Sequence, residues 1–199
     1  MRHCYLVGVK GVMELFIKKQ VSLSFNNSAK ITEFYRSLQV DYPKFFKMDG
    51  LSKLGFLASE MIFKDDESRF IPREDIAVVC FNRSSSLDID MQYEETIRDN
   101  NNYFPSPSLF VYTLPNIITG EIAIRNRFFG ETSFYICEKF DAEQIFRTII
   151  NVFSDKSTNF VLASWIEYFE NIFEVKMFLI TKEKTELEFT VNYLKTEYK

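Results

Sequence analysis

The sequence predicts an α/β layered fold, and three observations carry that expectation. Ile76-Ala77-Val78-Val79-Cys80-Phe81 and Asn159–Ser164 are short, continuous apolar runs, the first rich in β-branched residues. Their length and pattern suit strands buried on both faces of a parallel sheet. Ser52–Lys64 and Asp141–Phe153 instead repeat apolar residues at helical spacing, through Leu54, Phe56, Leu57, Met61, Ile62 and Phe63 in one and Ile145, Phe146, Ile149, Ile150 and Phe153 in the other. The two kinds of segment alternate along the chain, as helices packed on a sheet require.

Taken in order, Val9–Ser24 alternates apolar and polar residues, with Phe16, Val21 and Leu23 as inward positions, and reads as a strand or hairpin. Asn26-Asn27-Ser28 is a helix-start signal for a short helix over Ile31–Leu38. Tyr42–Gly50 is a connector with a packed turn, leading into the Ser52–Lys64 helix, which Asp65-Asp66-Glu67-Ser68 ends. After the Ile76–Phe81 strand come the polar loop Asn82–Ser86, a helical Leu87–Ile97 and a polar linker, Arg98–Asn102, expected to be the mobile segment. Ser106–Arg127 is too densely apolar for a surface helix. Its Pro115 marks a kink or boundary near Leu114, and Gly120 is placed for close packing. Phe134–Ile136 is a compact strand, Asp141–Phe153 a helix, and Asn159–Ser164 and Glu174–Thr181 are strands. Thr185–Tyr198 fits a strand or a helix.

The 199 residues fit one domain, residues 1–199, and the 46% hydrophobic content is enough for a sizeable core. A net charge of −4 with no long Lys/Arg run argues against nucleic acid as a partner, because phosphate contacts need clustered cations. The abundant Phe and Tyr accompany abundant Ile, Asn and Lys and read as compositional bias. Cys4, Cys80 and Cys137 are odd in number and widely spaced, which fits a reducing, cytoplasmic compartment and no disulfide framework. The apolar run Tyr5–Val9 lacks a cleavage site, so no signal peptide is expected. No stretch approaches the ~18 apolar residues of a membrane span.

The residues restrict the chemistry. His3 is the sole histidine and sits near the terminus, where it reads as a surface residue. Without a second His, nucleophile–His–acid machinery would have to use His3, and Cys/His zinc sites are not expected. The glycine-rich nucleotide cradles are absent, and no cofactor is expected. Asp65-Asp66-Glu67, Asp88-Ile89-Asp90 and Glu94-Glu95 read as solvated faces. Ser84-Ser85-Ser86 has backbone that an anion would suit. Cys137 is the thiol of interest. It lies between the Phe134–Ile136 strand and the Asp141 helix, where a helix N-terminus lowers a thiol pKa, although Glu138 opposes that effect.

The run from Pro107 to Arg125, with Pro115-Asn116, Gly120 four residues after the Asn, the Ile-containing tail Ile122-Ala123-Ile124, and then Phe128-Phe129-Gly130-Glu131, resembles the segment ahead of the active site in β-ketoacyl synthases of the thiolase-like superfamily. Glu131 stands where that family has Pro. Asn159–Glu167 resembles the family strand Asp-Val-x-x-x-Gly-Gly-x-Glu, with Trp165-Ile166 in place of Gly-Gly. The resemblance covers 41–168 and is strongest over Pro115–Gly130. It implies a thiolase-like layered domain with a mixed, mostly parallel sheet and helices on its faces, which is half of the duplicated ketosynthase fold.

The resemblance also has implications for function. At the family's spacing the nucleophile falls at Glu138–Lys139, just past Cys137, and Glu138-Lys139-Phe140 replaces the small residues that make room for a thioester. The two catalytic histidines belong to the second half. The resemblance therefore implies a non-catalytic ketosynthase-like subunit assisting acyl-carrier-protein-dependent fatty acid or polyketide-type (polyene lipid) synthesis. Such a subunit would form a homodimer, or a heterodimer with a thiolase-fold ketosynthase, across Phe134, Tyr135 and Ile136. The alternatives are an acyltransferase using Cys137 and an acyl- or small-molecule-binding module.

Overall fold

The computed structural model describes residues 13–101 and 103–198. His3, Cys4, the Tyr5–Val9 run, the start of the Val9–Ser24 segment and Asn102 in the polar linker lie outside the described residues. Strand β1 (Phe16–Ser24) is followed by α1 (Ser28–Ser37), a 3₁₀ turn (Pro43–Lys47) and α2 (Gly50–Ile62). Then come β2 (Ile76–Asn82), α3 (Leu87–Glu95), α4 (Pro107–Tyr112), α5 (Ile117–Asn126), β3 (Thr132–Ile136), α6 (Ala142–Val152), β4 (Phe160–Phe169), β5 (Ile172–Thr181) and α7 (Val191–Glu197).

Among the described residues the sheet has five strands in the order β1-β5-β4-β2-β3. β2 pairs in parallel with both β3 and β4, while β5 pairs antiparallel with both β4 and β1. Four strands therefore run the same way and β5 alone opposes them: the sheet is mixed and mostly parallel, with helices on its faces. Residue alternation sends the two sides of each central strand into different cores. Ile76, Val78 and Cys80 of β2 join Leu162 and Ile166 of β4 in a core under α1, α2 and α5. Ala77, Val79 and Phe81 join Val161, Ala163 and Trp165 in a second core under α6 and α7. Burial on both faces is why these strands read as continuous apolar runs.

Helix starts follow the expected local chemistry. Asn27, Asp49 and Asp141 cap α1, α2 and α6, each side chain accepting hydrogen bonds from first-turn N–H groups. The connector after Tyr42 contains the 3₁₀ turn, and Phe45 stacks on Tyr35 at 3.9 Å between ring centres.

Several readings change. Ser106–Arg127 breaks at Pro115 into α4 and α5, but α4 lies on the surface with no buried residue, and Phe110, Val111 and Leu114 are exposed. Its apolar content is split: Phe110 tilts onto Tyr93 of α3, Tyr112 packs half-buried against the first core, and Val111 stays open. Gly120 supports no close approach, since a Cβ there would meet nothing within 4 Å. The close approach belongs to Gly55 on α2, where a Cβ would lie 2.5 Å from Ile118 Cδ1 of α5. β4 runs on to Phe169 and turns into β5, so Glu167 is a strand residue. The ambiguous Thr185–Tyr198 divides: its second half, Val191–Glu197, is helical, and Glu188 before it makes an isolated bridge to Phe16.

Candidate functional site

In open α/β sheets, ligands bind beyond the carboxyl ends of the parallel strands. In this chain those ends are Asn82 of β2, Cys137 just after β3, and Glu167 near the end of β4. One loop joins them. Asn82 is buried at the end of an apolar strand, and its side chain closes the serine turn. Its Oδ1 accepts from Ser85 N (3.1 Å) and its Nδ2 donates to Ser85 O (2.8 Å), with Ser85 at φ 52. Asn82 O accepts from Cys137 N at 2.7 Å.

The serine loop does hold an anion, but the anion is the chain's own. The buried Glu167 carboxylate accepts from Arg83 N (2.5 Å), Ser84 N (3.3 Å) and Ser84 Oγ (2.6 Å). The backbone donors that would suit an external anion are thus occupied. The Ser86 hydroxyl donates to Thr113 O (2.8 Å), fastening the loop to the end of α4. A lone carboxylate within the apolar run Phe160–Phe169, and an Asn ending another, are the sequence signals of this arrangement.

Cys137 packs into the core under α6, and burial pushes its thiol up, with the nearby Asp141 carboxylate adding to the effect. The helix-dipole lowering suggested by its junction position does not operate. The α6 N–H groups of Glu143 (2.9 Å) and Gln144 (3.0 Å) are taken by Asp141. Phe140 fills the space beyond, stacked on Tyr198 at 3.7 Å and edge-on to Trp165 at 5.4 Å. Cys137 lines neither the cleft of about 470 Å³ between α1, α2, α3 and α4 nor the cavity of about 410 Å³ beside Arg69 and Arg125. No histidine stands among the described residues. Nor does any group of three or more His, Cys, Asp or Glu side chains among them suit a metal ion. No helix among them is long and apolar enough to cross a membrane.

Of the motif residues, Pro115 lies in the turn between α4 and α5. Asn116 precedes α5 without a side-chain cap, its carbonyl accepting from Thr119 Oγ1 at 2.7 Å. Gly130 is indispensable sterically, because a Cβ would lie 2.4 Å from Ile76 O of β2. It lets the chain enter β3 against its neighbour β2. Phe134 packs against the first core, Tyr135 stacks on Phe81 at 5.2 Å, and Ile136 is 57% exposed.

Among the described residues β3 is one edge of the sheet, β1 being the other. The bonds from Cys137 N to Asn82 O and from Val78 N to Glu131 O turn odd-numbered β3 residues toward β2. By strand alternation, the backbone N–H and C=O of Thr132, Phe134 and Ile136 face the open side. Phe129, just ahead of the strand, is 66% exposed. Such an edge is a template for another strand.

No protein-family model matches the chain, and no curated protein matches it. Solved structures do. The ishigamide ketosynthase/chain length factor superposes with a TM-score of 0.69 at 14% identity, over 87% of this chain and 64% of that one. The ketosynthase ApeO in complex with its chain length factor ApeC, from Xenorhabdus doucetiae, gives 0.62 at 12%, over 86% and 80%. A β-ketoacyl synthase from Burkholderia phymatum gives 0.57 at 9%, over 94% and 61%. The chain thus spans less than two thirds of the ishigamide and Burkholderia proteins. Strand order, direction and these superpositions agree: the chain has the thiolase-like fold of the β-ketoacyl synthases.

Proposed function

We propose that this chain is a non-catalytic, ketosynthase-like subunit. It pairs through β3 with a thiolase-fold ketosynthase, or with a second copy, in the cytoplasm. There it assists acyl-carrier-protein-dependent fatty acid or polyketide-type synthesis, polyene chains included. Residues 1–199 act as one domain in that pairing. The observation that carries the proposal is the β3 edge, unpaired among the described residues, with three outward backbone positions and exposed Ile136 and Phe129 beside them. The solved ketosynthases named with a chain length factor support a heteromeric partner. The protonated, packed Cys137, with Phe140 filling the space beside it, supports the non-catalytic part.

Size-exclusion chromatography with light scattering tests the pairing, on the chain alone and co-expressed with a ketosynthase. A dimer or a co-eluting complex is expected. Ile136→Pro should dissolve it, because the substitution removes one outward N–H and an exposed apolar side chain while sparing the ladder to β2. A strict monomer in both settings overturns the pairing. A cerulenin-type label that modifies Cys137, and is lost in Cys137→Ala, overturns the non-catalytic reading.

A further inference from the structure

We propose that the cavity over Arg69 and Arg125 binds a small zwitterion of the α-amino acid type, with its carboxylate on the two guanidinium groups and its ammonium toward Asp41 and Glu67. The floor of the cavity is an unbalanced ionic group. Glu60 of α2 is buried, and one of its oxygens accepts from Arg69 Nη2 at 2.5 Å and from Arg125 Nε at 2.8 Å. The second oxygen accepts from Arg125 Nη2 at 3.4 Å. One carboxylate thus faces two guanidiniums, whose side chains are only 10% and 16% exposed. A guanidinium does not shed its proton in a protein, so a positive charge remains.

Both arginines are held in orientation. Arg125 lies over Tyr42 at 4.7 Å and Phe70 at 4.9 Å, and Arg69 lies over Phe70 at 4.8 Å. Arg69 Nε is fixed on Asn126 Oδ1 at 3.0 Å. Phe70 has φ 71, a left-handed conformation rare for an aromatic residue and kept only where the surroundings enforce it. Neither Nη1 has a hydrogen-bond partner among the described residues, and both arginines line a cavity of about 410 Å³. That volume falls within the roughly 300–1,000 Å³ of small-molecule sites.

The rest of the lining selects the ligand. Leu38, Val40, Met61 and Phe70 supply apolar wall. Asp41, Asp66 and Glu67 bring three carboxylates to the same cavity, against a single further cation, Lys64. Asp41, Glu67 and Lys64 are exposed, whereas the two arginines are largely covered and hold the buried Glu60, so the cations lie deeper than the acidic mouth. A simple anion meets the acidic mouth, and a simple amine meets the arginines. A molecule carrying both charges on adjacent carbons, with a short apolar side chain, satisfies the floor, mouth and wall together. Carboxylate on paired guanidinium forks is also the strong class of hydrogen bond.

Isothermal titration calorimetry on the full chain at neutral pH tests this with L-leucine, isovalerate and isoamylamine as probes. Leucine is expected to bind, with each half-ligand at least about 10-fold weaker, the factor that corresponds to 1.4 kcal/mol for one lost charged contact. Asp41→Asn combined with Glu67→Gln changes only exposed side chains and should weaken leucine to the level of isovalerate. Arg69→Lys keeps the charge, loses the fork, and should weaken leucine and isovalerate alike. No heat with leucine at millimolar concentration overturns the proposal. So does isovalerate binding as tightly as leucine, or a mouth variant that binds leucine like the unmodified chain.

Discussion

The Ser84 hydroxyl donates to the Glu167 carboxylate at 2.6 Å, joining the β2–α3 loop to the far end of β4 across 83 residues of sequence. The same carboxylate holds Arg83 N and Ser84 N, so it fixes the loop at the carboxyl ends of the parallel strands. Glu167→Ala leaves two backbone donors without partners and should cost about 1–3 kcal/mol, read from urea denaturation. Ser84→Ala removes one hydroxyl donor to that carboxylate but leaves both backbone donors paired, and should cost less than Glu167→Ala. Equal losses in the two variants would contradict this account of the loop.

The glycines separate by what surrounds them. Gly120→Ala meets nothing within 4 Å inside α5 and should stabilise the chain by about 0.5–1 kcal/mol, through helix propensity alone. Gly130→Ala drives a Cβ to 2.4 Å from the Ile76 carbonyl, backbone of β2, and should cost about 1–3 kcal/mol or more. Thermal melts of the two variants should move in opposite directions.

Asp75 gives an acid-sensitive contribution to stability. Its hydrogen bonds with Arg73, at 2.9 and 2.8 Å, hold its carboxyl below the ordinary carboxylate value of 3.8, with Asn159 assisting. A carboxyl depressed in the folded state stabilises it above the unfolded pKa and loses that contribution as pH falls through the folded value. Asp75→Asn should therefore be less stable than the unmodified chain at neutral pH. The difference should shrink once the pH drops below 3.8 and vanish at lower pH, as followed by urea melts across pH. A difference that persists undiminished to the lowest pH would contradict the ionic origin.

The two described cysteines should be unreactive in the native state. Burial pushes Cys80 up to about 12, and Cys137 rises through burial and Asp141. The thiolate is the reactive form, so iodoacetamide at pH 7 should modify both slowly, Cys80 more slowly than Cys137, and both readily in urea. Mass spectrometry of the adducts measures the order. Rapid native labelling of Cys137 would contradict the packing around it.

The buried ionic group makes a sharper claim on stability. Glu60→Ala leaves Arg69 and Arg125 without their carboxylate and should cost about 3–5 kcal/mol, because an unpaired buried charge outweighs the pair it came from. A chemical denaturation midpoint close to that of the unmodified chain would exclude this arrangement.

The sequence by itself determined the elements whose signals are local. β2 and β4 were legible as apolar runs because both their faces are buried. α2 and α6 were legible from helical spacing, and their Asp49 and Asp141 caps follow from the competition of first-turn N–H groups for a nearby carboxylate. The Pro115–Gly130 motif carried the fold because it contains Gly130, a position where only a missing Cβ lets β3 meet β2. Only the tertiary structure decided what those elements face. Periodicity reports which side chains leave water but not their neighbours, so it could not place β5 antiparallel beside β1 or assign the close helix contact to Gly55 instead of Gly120. It could not show that α4 keeps Phe110 and Val111 exposed. The same holds for the polar constellations. Glu167 meets Ser84 across 83 residues and Glu60 meets Arg125 across 65, and such pairings exist only once the sheet and its helices have closed around them.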